Sequence, residues 1–170
     1  IHPMDSAFHN ALASGVTGVM AGPGSSNPVG GQFAFIKTHG RSIDDMVVLA
    51  PAAIKIAFGE NPMTCFGMNG NAPSTRMGIA AIIREELFNA RQYLADTPEA
   101  STGKNFRLEC YRELFQKKIP LKAHVHRTDD ILTAIRIAKE FDLDLTLDHC
   151  TEGHLIAEEI AKCGYPAIVG

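Results

Sequence analysis

The chain has 170 residues, 45% of them hydrophobic and 21% charged, with a formal net charge of −3. That balance belongs to a globular protein long enough to bury one core, and without clustered Lys and Arg it argues against a nucleic-acid partner. No apolar run approaches the roughly 20 residues of a membrane-spanning helix, so no membrane partner is expected either.

In chain order, Asp5 to Ser14 reads as a short helix with Ala7, Phe8, Ala11 and Leu12 on one face, and Gly15 to Ala21 as a strand. The glycine-rich stretch Gly22 to Gln32 is either a tight surface connection or a substrate-binding loop whose backbone N–H groups cradle an anion. It lacks the GK[ST] ending of a P-loop and the spacing of GxGxxG, and the later Gly103-Lys104 pair fails because Pro98 stands where a P-loop needs its first glycine. Phe33–Lys37, Met46–Leu49 and Ala53–Phe58 read as three short strands. Glu60 falls just past the third. A carboxylate there can ligate or bridge metals, act as a base, or simply cap a loop or helix. Lys55, inside that strand, can ligate only as a carbamate, because an ammonium is a donor with no lone pair; the alternative is a buried lysine paired with an acid. Ser74–Leu94 and Phe106–Lys117 carry helical apolar stripes, joined by a polar linker, Pro98–Lys104.

The chemistry concentrates further on. Leu121-Lys-Ala-His-Val-His-Arg and Leu145-Thr-Leu-Asp-His-Cys each place histidine at the end of an apolar run that precedes a helix. Alternation along a strand has period two, so His124 and His126 face one side, and His149 on the next strand is a natural companion. Imidazole is the commonest metal ligand, and strand ends are where α/β folds keep their sites. Thr128 with two acids opens a helix through Phe141; Leu143–Leu147, Glu152–Cys163 and Pro166–Val169 then read as strand, helix and strand. This near-constant alternation predicts parallel βαβ units, in a doubly wound sheet or a (β/α)8 barrel. The length falls short of the usual barrel, about 250 residues, while Ile1 and Gly170 look like cut ends. The expectation is one fragment, residues 1–170, of a larger barrel, whose exposed edges favour a homo-oligomer. Cys65, Cys110, Cys150 and Cys163 form no CxxC pair, and the start lacks signal-peptide layout, so reduced thiols in a cytoplasmic protein are expected.

Gly15-Val-Thr, Pro23-Gly-Ser-Ser-Asn-Pro-Val-Gly-Gly-Gln, Lys55-Ile-Ala-Phe-Gly-Glu-Asn-Pro, Pro73-Ser-Thr-Arg-Met-Gly, Ala123-His-Val-His-Arg-Thr-Asp-Asp-Ile and Asp148-His-Cys-Thr-Glu-Gly together resemble the amidohydrolase superfamily, most closely its imidazolonepropionase-like metal-dependent hydrolases. The resemblance implies an α/β fold, a partial (β/α)8 TIM-type barrel of parallel strands with covering helices, its first and last strands missing. It implies one or two divalent ions, Zn in the first instance, activating water against a cyclic amide or amidine C–N bond of a small-molecule substrate. By position, His124 and His149 match metal ligands of strands five and six, Lys55 or Glu60 the strand-four ligand, and His126 a catalytic, substrate-contacting residue. The family's first-strand H-x-H pair and last-strand aspartate have no counterpart, which predicts weak metal affinity and little turnover for these residues alone. Two rival readings are a non-catalytic assembly or binding module with remnant histidines, and a flavodoxin-like binder, against which the poor glycine motif argues.

Overall fold

The computed structural model describes residues 1–67, 70–97 and 102–169. Six strands lie side by side in chain order: β1 (Gly18–Ala21), β2 (Val29–Lys37), β3 (Val47–Ala57), β4 (Leu121–Val125), β5 (Leu145–His149) and β6 (Ala167–Val169). The helices are α1 (Ser6–Ala13), α2 (Ile43–Met46), α3 (Glu60–Gly67), α4 (Arg76–Asp96), α5 (Phe106–Glu109), α6 (Arg112–Phe115), α7 (Thr128–Phe141) and α8 (Ala157–Cys163), the last preceded by a 3₁₀ turn over Gly153–Ile156. No helix of the described residues is long and apolar enough to cross a membrane.

The expectation of parallel strands holds only for half of this sheet. β3 to β6 are parallel, but β1 pairs antiparallel with β2, and β2 with β3. The connections explain the difference: residues 22–28 and 38–46 are too few for a parallel crossover, which needs a dozen or more, so the chain must turn back on itself. The segments Met46–Leu49 and Ala53–Phe58 are likewise one strand rather than two. Pro51 interrupts the apolar pattern, yet it falls where the β2–β3 register shifts, between the Ala53–Phe33 and Leu49–Phe35 pairs, a place where its missing N–H is tolerated. The helix expected over Phe106–Lys117 is broken at Cys110 and Tyr111 into α5 and α6. Part of the Pro98–Lys104 linker, with Pro98 itself, lies outside the described residues, as does Gly170.

The parallel half follows directly from the side-chain pattern. Ile54 and Ile56 of β3, Leu121, Ala123 and Val125 of β4, and Leu145 and Leu147 of β5 share one core with Ile79, Ile83 and Leu87 of α4 and with Ile131, Ile135 and Ala138 of α7. Helix starts are fixed locally: Thr75 Oγ1 accepts from Gly78 N at 3.0 Å to open α4, and Asp5 does the same for α1. At α7, Arg127 occupies the cap position without a side-chain cap, and the backbone N–H of Thr128 donates instead to Glu152 Oε2 at 2.8 Å. Asp142, in the left-handed conformation, ends the helix. With one set of alternating residues spent on the helices, the intervening set, Lys55, Lys122, His124 and Asp148, is buried elsewhere, and the site is built from it.

Candidate metal centre

Strand register brings the polar residues together. Lys55 stands opposite Lys122, Ala57 opposite His124, and His124 opposite Asp148. His126 follows β4 by one residue, and its ring lies 4.6 Å from that of His124, centroid to centroid, as period-two spacing predicts. His149 joins them by a different route. Its register partner is Val125, a core residue, so alternation alone would send its ring toward the helices. Instead His149 and Cys150 both adopt positive φ, 70° and 48°, and the ring of His149 stacks on His126 at 4.8 Å and meets His124 edge-on at 4.6 Å. Two consecutive non-glycine residues in this region are uncommon and costly, and such strain gathers at functional sites.

One nitrogen from each of the three imidazoles lies within 4.8 Å of the others, and among the described residues this is the group of His, Cys, Asp and Glu with metal-ligand spacing. His124 is 5% exposed, and its Nδ1 is buried with no hydrogen-bond partner. A buried, unpartnered ring nitrogen is costly in a satisfied core and useful where a cation can take its lone pair, so the donor set fits a divalent ion. Burial, and then the positive Lys55 nearby, push the His124 pKa down from 6.5 to about 4, and burial followed by His126 lowers that of His149. Depressed imidazole pKa values favour the neutral form a metal needs.

This has a measurable consequence for the metal-free protein. Below pH 6.5 the unfolded chain takes up a proton that folded His124 refuses, so its contribution to stability is whole above pH 6.5 and is lost as pH falls toward 4, on the order of 3 kcal/mol in all. Urea unfolding in chelator at a series of pH values checks this; a flat profile across that window contradicts it.

Beneath the histidines lies a buried ionic layer. Lys122 Nζ donates to Asp148 Oδ1 at 2.7 Å, and Lys55 Nζ stands 3.7 Å from Asp148 Oδ2. Phe33 of β2 presents its ring to both ammonium groups, each 5.8 Å from the centroid, within cation–π range. Lys55 is thus the buried lysine beside an acid that one reading of the sequence anticipated, and burial lowers its pKa. The glycine-rich stretch contributes here: a Cβ on Gly30 would stand 3.1 Å from the Lys55 stem and 3.1 Å from Pro23, so glycine allows this close approach. Lys122 and Asp148 lie within the histidine-bearing runs, but neither they nor Phe33 has a role readable from local sequence; only strand register links them.

Glu60 occupies a different setting. It opens α3, and its Oε1 accepts from Arg76 Nη2 at 2.6 Å, while Arg76 Nε also bonds buried Asp130 at 3.1 Å. Its side chain is 69% exposed. The next residue, Asn61, reaches the histidines: its Nδ2 lies 3.3 Å from His124 Nε2. His126 Nδ1 is 2.7 Å from Thr151 Oγ1.

Comparison with known proteins agrees with this geometry. No protein-family model matches the chain. It is 23% identical over 184 residues to the amidohydrolase tasK of Hapsidospora irregularis, an alignment that takes in 93% of this chain and 19% of the relative. The crystal structure of an amidohydrolase from Thermotoga maritima MSB8 superposes with a TM-score of 0.92 at 42% identity, over 99% of this chain and 45% of that one. The chain therefore spans less than half the length of either protein. The near-complete superposition makes the mixed six-stranded sheet a match to part of the larger protein's fold, and by sequence and structure the chain belongs to the amidohydrolase superfamily.

Proposed function

We propose that the chain is part of a metal-dependent hydrolase of the imidazolonepropionase-like branch, built on a (β/α)8 barrel and acting on a C–N bond of a cyclic amide or amidine. The observation that carries this reading is the triangle of His124, His126 and His149 with an unpartnered, buried Nδ1 at its most enclosed member.

In this reading His124 and His149 hold the ion. Zn is the first candidate, and when bound a divalent ion supplies Lewis acidity and water of near-neutral pKa. Lys55 is favoured over Glu60 as the strand-four ligand. It is buried on a strand that pairs with β4, whereas Glu60 is exposed and engaged by Arg76. To ligate, the Lys55 amine must first lose its proton and take up CO₂ as a carbamate; burial disfavours its charge, Asp148 favours it, and the cation Lys122 disfavours it, with the pKa lowered on balance. Asp148, bonded to Lys122, stays in place as the fixed anion of the layer. His126, more exposed than His124, is available to contact the substrate as a catalytic residue. The reaction breaks the ring C–N bond, the hydroxyl of water going to the amide or amidine carbon and its proton to the nitrogen, which stays attached in the ring-opened product. The 170 residues alone are expected to turn substrate over poorly, and the whole protein is expected in the cytoplasm as a homo-oligomer.

A panel of cyclic amides and amidines, assayed with the full-length enzyme before and after chelation, tests the reading. Hydrolysis that chelator abolishes and Zn, Mn or Fe restores supports it. Hydrolysis that survives chelation overturns it, and absence of hydrolysis together with absence of metal binding favours the non-catalytic binding module.

A further inference from the structure

His124 and His126 each have one ring nitrogen occupied by a neutral side chain, and the occupied nitrogens differ. Asn61, the second residue of α3, sets its carboxamide against Nε2 of His124; Thr151 sets its hydroxyl against Nδ1 of His126. Backbone bonds fasten Thr151 in position: Cys150 N donates to Val125 O at 3.0 Å, Glu152 N donates to His126 O at 2.9 Å, and the Glu152 carboxylate accepts from Thr128 N. The loop after β5 is thereby stitched to the loop after β4.

At His124 the partner's orientation decides the chemistry. If the Asn61 nitrogen donates to Nε2, the neutral ring carries its proton on Nδ1, where a buried donor has nothing to receive it. A half-turn of the carboxamide puts Oδ1 against Nε2. The ring then donates to Asn61, and Nδ1 is left with a bare lone pair, a state that a cation satisfies. The same division at His126, Nδ1–H to Thr151 Oγ1, leaves Nε2 as its free nitrogen.

We propose that Asn61 and Thr151 are positioning residues of the centre, fixing His124 in its Nε2–H form so that Nδ1 is offered to a metal, and His126 in its Nδ1–H form so that Nε2 is offered to the substrate beside it. This rests on the metal reading of the site, and the experiment separates the two. Imidazole ¹⁵N NMR on the metal-free chain at neutral pH is expected to show His124 protonated on Nε2; protonation on Nδ1 overturns the proposal. Co²⁺ titrations followed by visible absorption are expected to show binding weakened about 10–100-fold, with an altered ligand-field spectrum, in Asn61→Leu, the usual cost of losing a partner behind a ligand, and binding close to wild type in Thr151→Val. In Thr151→Val the ¹⁵N spectrum of His126 is expected to lose its Nδ1–H form, and in Thr151→Ser, which keeps the hydroxyl, to retain it. A Co²⁺ affinity and spectrum like wild type in Asn61→Leu, or an unchanged His126 tautomer in Thr151→Val, overturns it. If the wild-type chain binds no Co²⁺, it is the metal reading that fails, and the NMR result alone decides the tautomer.

Discussion

In the metal-free protein, where Lys55 is an ammonium, Asp148→Asn is expected to be the most destabilising single change in the parallel half of the sheet, lowering unfolding free energy by about 3–5 kcal/mol in urea at neutral pH. The reason is charge balance under burial. Lys55, Lys122 and Asp148 are all buried, and among the described residues the ion pairs of both lysines run to this one carboxylate. Asparagine keeps the shape but leaves two ammonium groups without an anion, and uncompensated buried charge costs far more than a pair gains. Lys122→Met is expected to cost less, because it leaves one lysine facing one carboxylate. A loss below 1 kcal/mol for Asp148→Asn would mean that water or another anion neutralises the layer.

The second large effect concerns the metal. His124→Ala and His149→Ala are each expected to weaken Zn²⁺ or Co²⁺ binding beyond the roughly 10–100-fold that outer partners cost, whereas Glu60→Gln is expected to leave it unchanged. The three imidazoles lie together, while Glu60 is held by Arg76 at the entrance to α3. Loss of binding in Glu60→Gln equal to that in His149→Ala would reverse the assignment and make Glu60 the strand-four ligand. Isothermal titration of the purified variants, with unfolding midpoints measured alongside, distinguishes the two.

The comparison also shows what local sequence can carry. His124 and His126 were legible because a strand's two-residue period depends on nothing distant, and the amphipathic stripes of α4 and α7 were legible for the same reason. The sequence offers His149 as a companion of that pair and its ring does lie beside theirs, but the geometry that delivers it, two successive left-handed residues after an apolar run, leaves no mark on composition. Glu60 and Asn61 show the opposite case. The strand-end argument pointed to the acid, yet the chain enters α3 at this point, and it is the neighbouring amide that meets His124. The antiparallel pairing of β1, β2 and β3 was missed because no two-residue turn signal such as Asn-Gly separates the strands; only connection length betrays the reversal. The Lys55–Lys122–Asp148 layer depends on register between strands far apart in sequence, which no single segment encodes.

The most direct test of the central claim, that these histidines form a metal centre, is elemental analysis of the full-length protein purified without added chelator, beside its His124→Ala/His149→Ala double variant. The account predicts Zn, Mn or Fe in stoichiometric amount in the parent and its absence from the folded double variant. Equal metal content in the two, or none in a parent exposed to excess Zn²⁺, contradicts it.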